Sequence, residues 1–220
     1  MDDCERLIEE LCTDEEWHMR ELSVYKSIPH RYGTASFETI KKTYWKMCVP
    51  MVYAHWEGFC VGSLKKVCEY INKRNINYNT AIDEIAVLAM NQHLQSLSGQ
   101  NIGKEKAVLF YRTFLEKYKG TIEIDTTIAV SAHSNLNYKR LVYMMGQVGI
   151  DVESVSEISS RRNIIEKLVT FRNKIAHGEN SLIVEEKDVV TFIHEINVLF
   201  DALIIVFDSF LKEEQFMIQT

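Results

Sequence analysis

The last helical segment of the chain constrains the fold more than any other feature. Two adjacent rows of apolar residues run along about residues 187–211, the first of them at alternating steps of three and four. The first row is Val189, Phe192, Ile196, Leu199, Leu203, Val206 and Phe210, and the second is Val190, Ile193, Phe200, Ile204, Phe207 and Leu211. Together they form an apolar face wider than a solvent-exposed helix needs. The segment is therefore predicted to lie at the centre of a helical bundle or to form half of a subunit interface.

Few residues elsewhere in the chain interrupt helices. Only 2 of the 220 residues are Pro and 9 are Gly, while 46% are hydrophobic, a composition that favours long helices over many short strands. Residues 121–131 are the exception, because Ile122, Ile124, Ile128 and Val130 recur at even spacing, as in a half-buried strand. No repeat or low-complexity linker divides the chain. We therefore predict one all-α domain over residues 1–220, with a short β insert near 121–131.

Charge and cysteine usage exclude several functional classes. The net charge of −6 argues against general polyanion binding, so any contact with RNA must be local. The five cysteines include no C-x-x-C pair, which argues against a disulfide framework or a zinc site, and we expect neither metal nor cofactor. The acidic N-terminus has no apolar signal core and no long uncharged run follows, so we expect a cytoplasmic protein with no membrane segment.

An arginine and a histidine stand out on the helix predicted over about residues 156–176. Ile165, Val169 and Ala176 share one apolar row, and Arg172 occupies the position between the last two. A guanidinium in such a place requires a partner, which could be a carboxylate, a neighbouring subunit or a phosphate. His177 ends the adjacent polar row, just before Gly178, where the last helical turn could bring it and Arg172 toward one pocket.

These residue types suit cleavage of RNA by its own 2′-hydroxyl. An imidazole can transfer the proton and a guanidinium can stabilise charge on the phosphorane. The reaction needs both a base and an acid, and two protomers packed across a twofold axis would supply two histidines. Residues 161–177 carry five positive charges and one negative charge, a net +4, which fits either a phosphate-binding surface or a solvated helix face.

The run from Arg172 to His177 resembles the Arg-x-x-x-x-His motif of the HEPN-domain family. Asn173 supplies the polar residue that active members often carry directly after the arginine. The earlier segments YAHWEGF (residues 53–59) and SNLN (residues 134–137) also resemble one bacterial branch of that family. The resemblance covers about residues 44–210 and leaves residues 1–43 as an N-terminal helical extension.

The resemblance implies a HEPN-like helical bundle with a long C-terminal helix that forms a homodimer with a composite cleft. It implies a metal-independent endoribonuclease that acts on an RNA substrate as a toxin or in defence against phage, together with an antitoxin or another defence-system protein as partner. The catalytic residues would be Arg172 and His177, with Asn173 orienting them. Glu57, Glu166 and Lys174 are candidate supporting residues; Glu57 could hold Arg172 or His177 from a neighbouring helix, and Glu166 could pair with Arg172.

Two other interpretations remain open. In the first, the chain is a non-catalytic HEPN dimer whose basic strip binds RNA, a nucleotide or a partner protein. In the second, it is a helical adaptor whose broad C-terminal face recruits another chain, and the Arg172–His177 pair is structural. Trp56 falls on an apolar helical face and is predicted to be a core residue.

Overall fold

The structure is a computed structural model that describes residues 2–27, 38–90, 94, 103–130, 135–179 and 181–219. The structure does not describe Ser131 or the side chain of Ile128, which belong to the predicted β insert, or Ser134, which belongs to the SNLN segment. The helices are α1 Asp3–Ser27, α2 Glu38–Lys73, α3 Asp83–Ala89, α4 Lys104–Tyr118, α5 Thr126–Ala129, α6 Tyr138–Gly146, α7 Ser156–Ser159, α8 Arg162–Ala176 and α9 Glu186–Lys212. The described residues contain no β-strand, which confirms the all-α fold class.

Helix α9 is the central helix of the bundle. Twelve of its residues are buried: Val189, Phe192, Ile193, Ile196, Leu199, Phe200, Ala202, Leu203, Ile204, Phe207, Phe210 and Leu211. These are mostly the two predicted rows, and they pack against α1 and α2. By length and composition α9 could also cross a membrane, but half of its most apolar window is buried inside the bundle, as in the core helix of a helical bundle. The double row therefore reflects a helix with neighbours on both sides.

Helices α1 and α2 complete the centre of the bundle. Leu7, Leu11 and Leu22 of α1 are buried in the same core as α9, so the predicted N-terminal extension contributes to that core. Helix α2 is 36 residues long, about 54 Å, and continues through Pro50. Its predicted apolar face is buried, including Trp56, which is fully inaccessible and confirmed as a core residue.

The predicted β insert near 121–131 is wrong for the residues that the structure describes there. Ile122 and Ile124 are both buried, as their alternate spacing predicted, and an isolated antiparallel bridge joins Thr121 to Asn77, with the N–H of Ile122 donating to the carbonyl of Ile76 at 2.8 Å; within the described residues no strand continues beyond this bridge to Ile124. Instead, the side-chain amide of Asn72 bonds both backbone groups of Ile124, accepting from its N–H at 2.8 Å and donating to its carbonyl at 2.9 Å. One side chain thus replaces a neighbouring strand, and α5 begins directly afterwards at Thr126.

Candidate functional site

The candidate site lies where the C-terminal end of α8 runs antiparallel to the first half of α2. Two contacts define this register: the guanidinium of Arg172 lies over the ring of Tyr53, and the Lys46 ammonium donates to the carbonyl of Glu179 at 3.0 Å. The contacting residues are seven apart on each segment, which is two turns of α2, while Glu179 lies three residues beyond the end of α8. The predicted single helix over 156–176 is divided into α7 and α8, and α8 positions the site.

Helix α8 ends in a glycine cap that fixes the position of His177. Gly178 has a φ of +73°, and its N–H donates to the carbonyl of Ile175 at 3.1 Å. The N–H of Glu179 donates to the carbonyl of Lys174 at 3.0 Å, which completes a Schellman motif. His177 is therefore the last residue before the chain turns away, and its side chain is exposed. Within the described residues its imidazole makes no hydrogen bond.

Arg172 is half-buried and is held by neutral groups. Its guanidinium carbon lies 4.6 Å from the centre of the Tyr53 ring, a cation–π contact. Its Nη1 donates to the Asn173 side-chain oxygen at 2.9 Å. In the part of the chain that the structure describes, no carboxylate forms an ion pair with Arg172, and no direct contact joins it to His177. The partner required by a guanidinium at this position is thus an aromatic face and an amide.

Asn173 and Glu166 have different neighbours although they share one row of α8. The Asn173 side-chain nitrogen approaches the side-chain oxygen of Asn135 at 3.4 Å, so Asn173 lies beside Arg172 as the motif implied. Glu166 instead accepts from the backbone N–H of Tyr138 at 3.1 Å. It therefore helps to cap the N-terminus of α6 together with Asn137 and does not pair with Arg172.

Tyr53 connects Glu57 to the site. Burial raises the pKa of Tyr53 to about 12, a donated hydrogen bond from Leu136 opposes the rise, and the charge of Glu57 adds to it. The N–H of Leu136 donates to the Tyr53 hydroxyl at 2.7 Å, and Glu57 lies close enough to that hydroxyl to raise its pKa. Glu57 therefore reaches Arg172 through Tyr53. Sequence reasoning did not single out Tyr53, although Tyr followed four residues later by Glu on a buried helix face was an available signal.

The predicted net charge of +4 over residues 161–177 does not form a continuous basic surface. Lys167 forms an ion pair with Asp188 at 2.8 Å, Arg161 pairs with Glu195 at 2.8 Å, and Lys174 lies 3.6 Å from Glu179. Arg172 differs from these three residues because no carboxylate among the residues that the structure describes pairs with it. The described residues contain no group of three His, Cys, Asp or Glu side chains that could hold a metal ion.

A family model described as RiboL-PSP-HEPN matches residues 13–209, which is most of the chain and includes the C-terminal part of α1, all of α2 and α8, and nearly all of α9. No curated protein and no solved structure shows significant similarity to the chain.

Proposed function

Because the chain belongs to the RiboL-PSP-HEPN family, we propose that it is a metal-independent endoribonuclease whose catalytic residues are Arg172 and His177. One observation carries the proposal. Arg172 is partly buried and lacks a carboxylate partner among the described residues, five residues before an exposed histidine that a glycine cap fixes in place. An unneutralised guanidinium at such a position has the geometry and charge to accept a phosphate.

The proposed reaction is attack of a ribose 2′-oxygen on the adjacent phosphorus. The 2′-oxygen–phosphorus bond forms and the bond from phosphorus to the 5′-oxygen of the next nucleotide breaks. A base removes the 2′-hydroxyl proton and an acid gives a proton to the departing 5′-oxygen, which leaves a 2′,3′-cyclic phosphate and a 5′-hydroxyl. Arg172 would stabilise the charge that develops on the phosphorane, and Asn173 would hold the guanidinium by the hydrogen bond already present.

The proposal includes a homodimer, because one protomer supplies a single histidine at this site and the reaction uses both a base and an acid. Large apolar side chains are exposed near the end of α8. Met47 and Met51 are 65% and 47% exposed on the part of α2 between Lys46 and Tyr53, and Ile183 in the following loop is 71% exposed. Apolar side chains exposed together favour an interface between subunits.

The test is incubation of the purified protein with total RNA and with tRNA in EDTA, followed by analysis of the product ends. Wild type should give products with 2′,3′-cyclic phosphate ends. His177→Ala should give no product, although its unfolding temperature should equal that of wild type. His194→Ala is the matched control, because His194 is also an exposed histidine but lies on α9. Undiminished cleavage by His177→Ala would exclude the proposed site.

We propose further that the nuclease acts as a toxin or in defence against phage, restrained by an antitoxin or another defence-system protein. This role predicts that expression of wild type arrests bacterial growth and that expression of His177→Ala does not. Normal growth with active, soluble wild type would contradict it.

A second candidate function is a non-catalytic dimer that binds RNA, a nucleotide or a partner protein. One observation favours it: the His177 imidazole has no hydrogen-bonded group to orient it within the described residues, whereas catalytic histidines usually have one. This function predicts RNA binding that survives His177→Ala and an absence of product at any protein concentration.

A further inference from the structure

We infer that Tyr53 is a positioning residue, whose ring holds the Arg172 guanidinium in an orientation that leaves its N–H groups available to a phosphate. The inference rests on the proposed ribonuclease function and adds to it a residue on a second helix.

The neighbours of Arg172 contact different parts of its guanidinium. The Tyr53 ring contacts the Arg172 guanidinium with its face, at 4.6 Å from the guanidinium carbon to the ring centre. An arginine has five N–H donors, and a carboxylate partner would occupy two of them in a bidentate pair. Among the described residues only Asn173 accepts from Arg172, at 2.9 Å. A ring face thus stabilises the cation without occupying the donors that a phosphate needs.

Tyr53 is itself held rigidly. Tyr53 is 2% exposed, and its hydroxyl accepts a hydrogen bond from the Leu136 N–H at 2.7 Å. The carbonyl of Leu136 in turn accepts from the Trp56 indole nitrogen at 3.1 Å. Two side chains of α2 therefore clamp the backbone of one loop residue and fix the Tyr53 hydroxyl, and close packing around the buried ring restricts its rotation about the axis through that hydroxyl. A fixed ring gives the guanidinium a fixed surface on which to lie.

The orientation of the Arg172 guanidinium should affect the catalytic step more than substrate binding. A guanidinium that already points its donors toward the phosphate stabilises developing charge without first reorganising. Loss of the ring should therefore reduce kcat more than it changes KM. A cation–π contact of ordinary strength corresponds to roughly a 2- to 30-fold effect on the rate.

The experiment compares Tyr53→Leu with Tyr53→Phe and with Tyr70→Leu. Tyr53→Phe keeps the ring and should restore most of the kcat that Tyr53→Leu loses. Tyr70 is the matched control, because it is a buried tyrosine on the same helix, 7% exposed, whose ring contacts Phe216. Tyr70→Leu should lose stability without losing kcat. In an Arg172→Ala background, Tyr53→Leu should cause no additional loss, because its effect passes through Arg172.

A readout without RNA separates this inference from the proposed function. The Arg172 side-chain N–H resonance in nitrogen-15 NMR should carry a ring-current shift, which Tyr53→Leu should remove and Tyr70→Leu should preserve. A resonance that does not respond to Tyr53→Leu would overturn the positioning role. An equal loss of kcat on Tyr53→Leu in the presence and in the absence of Arg172 would also overturn the positioning role. A wild type that cleaves no RNA would refute the proposed nuclease, and in that case the resonance alone decides whether Tyr53 holds Arg172.

Discussion

Replacement of Glu15 by Gln should stabilise the protein strongly at alkaline pH and by less than about 1 kcal/mol near pH 5. Glu15 lies on α1 and is buried, and its carboxyl group hydrogen-bonds Asp201 on α9. Burial, followed by the hydrogen bond to Asp201, raises the pKa of Glu15 from 4.5 to about 7. The folded state therefore favours the protonated acid, which can donate to Asp201. No donor within the described residues reaches Glu15 Oε1, so the ionised form has little to stabilise it.

The magnitude follows from the difference in pKa between the folded and unfolded states. A rise from 4.5 to about 7 corresponds to about 3 kcal/mol of free energy of unfolding. Because the folded pKa is raised, this contribution is fully present below pH 4.5 and is lost as the pH rises through about 7. The amide of Gln resembles the protonated acid and does not ionise. Glu15→Gln should therefore be more stable than wild type by less than about 1 kcal/mol near pH 5 and by up to about 3 kcal/mol at pH 8.5.

Urea denaturation at several values between pH 5 and pH 8.5 measures this difference. Subtraction of the two curves cancels the other titrating groups, which both proteins share. Glu16→Gln is the matched control, because Glu16 is the neighbouring carboxylate on α1 but is exposed. A difference between Glu15→Gln and wild type that stays constant with pH, or one that Glu16→Gln reproduces, would refute the reasoning.

Two further predictions concern stability. Gly178→Ala should lower the free energy of unfolding by about 1 kcal/mol. A Cβ at this position would meet no atom of the described residues, but a φ of +73° strains a residue other than glycine. Thermal denaturation measures the change, and an unchanged melting temperature would contradict the prediction. Burial, followed by the charge of His55, lowers the pKa of His18 from 6.5 to about 4. The free energy of unfolding of wild type should therefore fall by up to about 3 kcal/mol as the pH falls from 6.5 to 4. His18→Gln should show a smaller decrease when urea denaturation at pH 7.5 is compared with that at pH 4.5. Equal losses would exclude His18 as the source.

Much of the fold could be predicted because it depends on local patterns. The two apolar rows of the last helix predicted its burial, since any helix with apolar residues on so wide a face must be covered on two sides. The glycine after His177 correctly marked the end of α8, because a left-handed residue at that place favours glycine. The insert at 121–131 was wrongly assigned because alternate burial does not reveal what satisfies the backbone, and here Asn72 does so from another helix.

The sequence by itself determined the helical class, the family resemblance and the identity of Arg172, Asn173 and His177 as the candidate residues, because a helix end and a short motif are properties of neighbouring positions. Only the tertiary structure decided what surrounds them. It placed Tyr53 under Arg172, moved Glu166 to the cap of α6 and neutralised Lys167 with Asp188. Contacts of this kind join residues from 21 to 119 positions apart, as the differences 188 − 167 and 172 − 53 show. No local pattern encodes such pairings, because they depend on how whole helices pack against one another.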